Sequence, residues 1–191
     1  MSVNPVFEAA LEVQGALVAD GADYCFIGGI AVQRWGEPRL TRDADLTIMS
    51  RFREDERRVD YLLQRFATRR EDAREFALRN RVLLLVAANG VPLDIGLGAL
   101  DFEERCVQRS SLWRLTDGRE LRTCSADDLI VHKAFAARDR DWLDVEGILI
   151  RQGTKLNVPR ILRELRPLVE LKEDDSILPR LEQLMRKRGV V

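Results

Sequence analysis

Two apolar runs, 81–88 and 91–97, flank Asn89-Gly90. Asn-Gly favours the tight turn whose twist matches that of paired strands, so the middle of this chain is committed to a β-hairpin. Upstream, Tyr24-Cys25-Phe26-Ile27 is a short strand ending in Gly28-Gly29, and residues 30–35 leave room for only a short helix before Gly36 and Pro38. Residues 43–49 read as another strand, and Val59, Leu62, Leu63 and Phe66 mark a helix with a charged outer face. Asn4-Pro5 caps a first helix that carries Val6, Phe7, Ala10, Leu11, Leu17 and Val18 on one side until Gly21. Residues 113–115 and 120–123 flank Asp117-Gly118 as a second hairpin or an edge strand. Ser125-Ala126-Asp127-Asp128 then opens a helix, and 139–150, 159–170 and 174–187 continue with helical spacing. The expected fold is α/β, in the α+β sense: a small mixed sheet within residues 1–124, followed by a C-terminal helical half, 125–191.

Composition narrows the function classes. With 31 Lys+Arg against 32 Asp+Glu, the net charge of -1 excludes nucleic-acid binding by overall charge and leaves only a local patch, for which the arginines at 65, 69, 70, 74, 79 and 81 are candidates. Glu71, Asp72 and Glu75 interleave with them. Cys25, Cys106 and Cys124 are odd in number and widely spaced, which suggests neither a disulfide framework nor a zinc site and fits a reducing cytoplasm. No stretch approaches the ~20 apolar residues of a membrane span, so no membrane partner is expected.

The chemistry is carried by acids. Asp43-Ala44-Asp45 opens a strand, where residues two apart share a face, so two carboxylates stand together and call for a cation. Asp94 lies in Val91-Pro92-Leu93-Asp94-Ile95-Gly96-Leu97, among apolar residues, proline and glycine. A carboxylate buried there needs a basic side chain or a metal as partner. A metal shared by Asp43, Asp45 and Asp94 answers all three, in the oxygen-rich environment Mg²⁺ prefers, with Mn²⁺ as a substitute. Gly28-Gly29 at a strand-to-helix turn lets backbone N–H groups approach a phosphate. Thr41 falls on the carboxylate face if the strand extends backward, or is simply a good strand former; Arg42 and Arg39 flank it as triphosphate-neutralising cations or exposed residues. Lys133 lies on the apolar face of its helix with Leu129 and Ile130, while Asp144 either pairs with Lys133, contributes to nucleotide binding or is an ordinary surface acid. Arg34 is a weaker phosphate candidate, and His132, the single histidine, needs no catalytic role.

Gly28-Gly29, Arg39-Leu40-Thr41-Arg42-Asp43-Ala44-Asp45-Leu46 and the later Asp94 together resemble the DNA polymerase β-type nucleotidyltransferase superfamily. Phe26-Ile27-Gly28-Gly29-Ile30-Ala31-Val32, Asp127-Asp128-Leu129-Ile130-Val131-His132-Lys133 and Arg140-Asp141-Trp142-Leu143-Asp144-Val145 are similar to the AbiEii-type toxins of type IV toxin–antitoxin and abortive-infection systems. The resemblance implies a metal-dependent transfer of a nucleoside monophosphate from an NTP. Asp43, Asp45 and Asp94 would hold the metal, and Gly28, Gly29, Thr41, Arg42, Lys133 and Asp144 would bind the nucleotide. It implies as acceptor a tRNA end or a protein hydroxyl, with a cognate antitoxin. A small-molecule acceptor, as in the aminoglycoside nucleotidyltransferases, and a catalytically silent nucleotide-binding protein are the alternatives. Ala44 replaces a bulkier aliphatic residue of the pattern, and Gly29 stands where many members carry serine, losing a hydroxyl contact to phosphate.

Overall fold

The computed structural model describes residues 4–49 and 54–191. In chain order its elements are α1 (Pro5–Ala19), β1 (Tyr24–Phe26), α2 (Gly28–Trp35), β2 (Ala44–Met49), α3 (Asp55–Leu63), β3 (Ala67–Thr68) and α4 (Ala73–Asn80). Then follow β4 (Val82–Val86), β5 (Pro92–Gly98), α5 (Asp101–Gln108), β6 (Ser111–Arg114) and β7 (Glu120–Thr123). The chain finishes with α6 (Ala126–Ala136), α7 (Asp139–Gln152), α8 (Val158–Lys172) and α9 (Ile177–Lys187). The described residues divide into two compact units, one lying within residues 1–30 and 40–124, the other within 31–39 and 125–191.

In the first unit a seven-stranded mixed sheet runs β3-β4-β5-β2-β1-β7-β6. The Asn89-Gly90 turn joins β4 and β5 as an antiparallel hairpin, with Gly90 at φ +82°. The second hairpin, β6–β7, docks alongside β1 in parallel at Phe26 and Thr123. Strand alternation then sorts the side chains. Leu46 and Ile48, Leu83 and Leu85, and Leu93 and Ile95 turn to one face and are buried against Val6, Ala9, Ala10, Val13 and Leu17 of α1 and Val59 and Leu62 of α3. Each buried aliphatic side chain in this layer contributes roughly 1.5–3 kcal/mol. Asp45, Asp94 and Leu84 belong to the opposite set of alternate positions, all only partly buried. On that face α5 packs against β1 and β2, bringing Cys106 Sγ to 3.8 Å from Cys25 Sγ.

The second unit is helical. Ser125 accepts a hydrogen bond from the Asp128 N–H to cap α6, and α6 packs on both α7 and α8 through a core that includes Leu129, Ile130, Val145, Ile148, Ile161 and Leu165. Asn157 caps α8 in the same way. Segment 31–39 joins this unit at Gly147, where an added Cβ would come within 3.1 Å of the Glu37 backbone nitrogen. No helix among the described residues is long and apolar enough to cross a membrane.

Candidate active site

Strand β1 lies between β2 and β7, and the chain leaves it through a turn that the neighbouring strand makes very tight. The Ile27 N–H donates to the Asp45 carbonyl at 2.9 Å, which brings Gly28 directly against the Asp45 side chain. Gly28 adopts φ +52°, and a Cβ there would stand 2.6 Å from Asp45 Cγ. A Cβ on Gly29 would stand 2.7 Å from Thr41 Cβ. Gly28 is therefore required by the close approach of its backbone to the Asp45 side chain and Gly29 by that of Thr41, and both lie at the start of α2, the end of a helix that favours anions. Gly28→Ala is expected to cost about 1–2 kcal/mol from the left-handed conformation alone. It should also displace Asp45, so the nucleotidyl transfer that the sequence leads one to expect should fall far more than thermal stability; equal transfer by Gly28→Ala and wild type would refute this role for the turn.

Asp43 sits in the bend just before β2, and the Thr41 hydroxyl donates to its Oδ1 at 3.0 Å. Asp45 and Asp94 are direct neighbours in the parallel β2–β5 register. Asp94 departs from the sequence expectation: its side chain is 35% exposed rather than buried. Leu93, Ile95 and Leu97 take the core face of β5, whereas Pro92 and Gly96, its neighbours on the other face, are only partly buried and do not enclose the carboxylate. Its partner is basic. Arg69, just beyond β3, forms an ion pair with Asp94.

Three carboxylates at one sheet end, near the N-terminus of a helix, are of the oxygen donor type that a hard divalent cation takes. Among the described residues no three acidic, histidine or cysteine groups are gathered as a ready metal cage. Arg69 holds one of the Asp94 oxygens, Oδ1.

The remaining candidates are distributed as follows. Arg42 is exposed on the loop between Thr41 and Asp43. Arg34 stacks on Trp35 with its guanidinium carbon 4.1 Å from the ring centre. His132 is half-buried on α6. Lys133 and Asp144, in the second unit, come together in a buried ion-pair cluster. Lys133 Nζ lies 2.9 Å from both Asp141 Oδ1 and Asp144 Oδ2, Arg39 grips Asp144 through two bonds at 2.6 and 2.8 Å, and Arg138 bonds Asp141 at 2.6 Å. Burial pushes both carboxyls up, but hydrogen bonds from Arg138 and Lys133 to Asp141, and from Arg39 and Lys133 to Asp144, hold them below the usual aspartate value. Arg39 is thus engaged with an acid 105 residues away. Sequence reading missed Asp141 as the second anchor of Lys133, although its position eight residues on, across the αL break at Ala137, was the available signal.

The 65–81 arginines are also mostly engaged. Arg74 bridges Asp60 and Glu56, Arg70 pairs with Asp72, Arg81 with Asp55, and Arg65 stacks on Tyr61.

No family model and no curated protein sequence matches the chain. Solved structures do. A crystal structure of ANT(2″)-Ia in complex with adenylyl-2″-tobramycin superposes with a TM-score of 0.53 at 15% identity, covering 88% of this chain and 97% of that one. The solution structure of the same antibiotic-resistance factor gives 0.51 at 16% identity, over 88% and 92%. The fold is that of a nucleotidyltransferase. An antigenic nucleotidyltransferase-like protein from Paracoccidioides brasiliensis is 15% identical over 94% of this chain and 91% of its own, with a TM-score of 0.48. In this nucleotidyltransferase fold the mixed sheet and helical half expected from the sequence are both present.

Proposed function

We propose that this chain is a metal-dependent nucleotidyltransferase that moves a nucleoside monophosphate from an NTP to an acceptor hydroxyl. The observation that carries the reading is the seating of Asp45 against Gly28 and beside Asp94 on a nucleotidyltransferase fold. Asp43, Asp45 and Asp94 would hold Mg²⁺ or Mn²⁺, which when bound neutralises triphosphate charge and lowers the pKa of the attacking hydroxyl. Gly28 and Gly29 present N–H groups to the phosphates, Thr41 orients the Asp43 carboxylate, and Arg42 offsets charge on the departing pyrophosphate. The acceptor oxygen forms a bond to the α-phosphorus as the bond to the bridging oxygen breaks, and Asp94 takes the hydroxyl proton.

For the acceptor we propose RNA, a tRNA end foremost, with a protein hydroxyl as the other macromolecular possibility, in a toxin controlled by a cognate antitoxin. Support comes from the AbiEii-like segments and not from charge, since the 65–81 arginines are largely paired with acids. The fold shared with ANT(2″)-Ia favours a second reading, a small-molecule acceptor. Against a polycationic acceptor stands Arg69, the cation beside Asp94. Incubating the protein with each labelled NTP, Mg²⁺ and total RNA, lysate protein or tobramycin decides between them. Label is expected in RNA; label confined to tobramycin, with no growth defect on expression, would overturn the toxin reading and leave nucleotidyl transfer standing.

A further inference from the structure

The strand register lays four residues in one line across the sheet. Asp45 of β2 stands beside Asp94 of β5, Asp94 beside Leu84 of β4, and the Arg69 N–H donates to the Leu84 carbonyl at 3.2 Å. Cross-strand neighbours present their side chains to the same face, so Arg69 reaches over half-buried Leu84 to the carboxylate beyond it. Arg69 differs in this from its sequence neighbours: Arg70 and Arg74 are paired with acids of the 56–72 region, away from the carboxylate line.

We infer that Arg69 is the internal counter-ion of Asp94, a positioning residue that keeps this carboxylate out of the metal site until a divalent cation displaces it. The inference rests on the reading of Asp43, Asp45 and Asp94 as metal ligands. The guanidinium occupies Asp94 Oδ1, an oxygen that a divalent cation would otherwise draw on, and its positive charge beside the site also repels the ion. The two side chains are 31% and 35% exposed, so the pair is screened and its grip is weak enough to be exchanged. Arg69 thereby sets how readily the site fills: metal taken up with the negative charge of a triphosphate outcompetes it, whereas metal alone is disfavoured.

The test is Mn²⁺ binding by the full chain without nucleotide, followed by the electron paramagnetic resonance signal of the free ion. Arg69→Met is expected to tighten Mn²⁺ binding about three- to tenfold over wild type, from a lost competitor and a lost repulsive charge. Arg70→Met, which removes the same charge one residue away, should change it less than about twofold. In an Asp94→Asn background most of the Arg69→Met gain should vanish, the coupling expected of direct partners. Arg69→Gln serves as a second variant should the methionine disturb the edge. Arg69→Met and Arg69→Gln both binding Mn²⁺ no more tightly than Arg70→Met, while Asp94→Asn weakens it, would overturn the inference alone. Mn²⁺ binding indifferent to Asp43→Asn, Asp45→Asn and Asp94→Asn would overturn the metal-site reading beneath it.

Discussion

Asp45→Asn is expected to lower nucleotide transfer roughly a thousandfold, the rate equivalent of about 4 kcal/mol, while leaving the melting temperature within a few degrees of wild type. Asparagine keeps the shape that stands against Gly28 and removes only the charge, so the β1–β2 pairing and the glycine turn have no reason to move. Asp43→Asn should behave alike, because its side-chain oxygen still accepts from the Thr41 hydroxyl. Asp94→Asn adds a small stability cost of about 0.2–1 kcal/mol by weakening the pair with Arg69. Single-turnover label transfer alongside thermal melts checks all three. An Asp45→Asn protein that retains more than about a tenth of the wild-type rate would remove the carboxylate from the chemistry.

Lys133→Met carries the largest expected effect on stability. It leaves Asp141 and Asp144, 2% and 3% exposed, without the ammonium that bridges them, and breaking one partner of a buried ion pair costs about 3 kcal/mol or more. For a chain of this size that is roughly 6–12 °C in melting temperature. The pH dependence gives the sign. Both carboxyls are held below their ordinary value in the folded state, so the unfolded chain binds more protons in the acid range. Their contribution is full above about pH 4 and is lost as the pH falls through their folded values. The gap between wild type and Lys133→Met should accordingly be widest near neutrality and narrow below about pH 4, measured by melts across the series. A gap that stays constant to pH 3 would mean the cluster is not what Lys133 stabilises. Arg39 and Arg138 still contact the acids in the variant, so the protein is expected to fold.

Much of the scaffold was legible because its signals are local. Asn89-Gly90, the Asn4 and Ser125 caps and the alternation along β2 each depend on residues within one turn or strand. Elements that escaped are short or highly charged: β3 has two residues, and α4 and α5, with eight each, carry acids and bases around one narrow buried edge. The parallel docking of β7 on β1 joins strands about a hundred residues apart, and no local pattern encodes it. At the site, the Asp43-Ala44-Asp45 spacing and the glycine pair could be read directly. The partners could not. Arg69 meets Asp94 only because a two-residue edge strand adds to β4, and Arg39 meets Asp144 through a segment that folds with the C-terminal helices. Asp94 was misread as buried for an instructive reason: proline and glycine look apolar in sequence, yet on the site face of β5 neither supplies bulk to cover a neighbour.

The space filled by Asp45 and Thr41 also bears on descent. Gly28 has no room for a side chain while position 45 holds an aspartate, and Thr41 Cβ, one bond from the backbone, excludes one from Gly29 in the same way. The four positions therefore form two linked pairs, and ancestry should preserve them as pairs. A lineage bearing serine at position 29, as the wider pattern often does, is expected to have altered position 41 or the path of the 39–42 loop, whereas Gly28→Ala, whose Cβ would also stand 2.7 Å from the Asp45 Cβ, can become tolerable only where the acid itself has moved out of place. Among diverged copies of this chain, loss of the first glycine should thus mark those that have stopped using the acid.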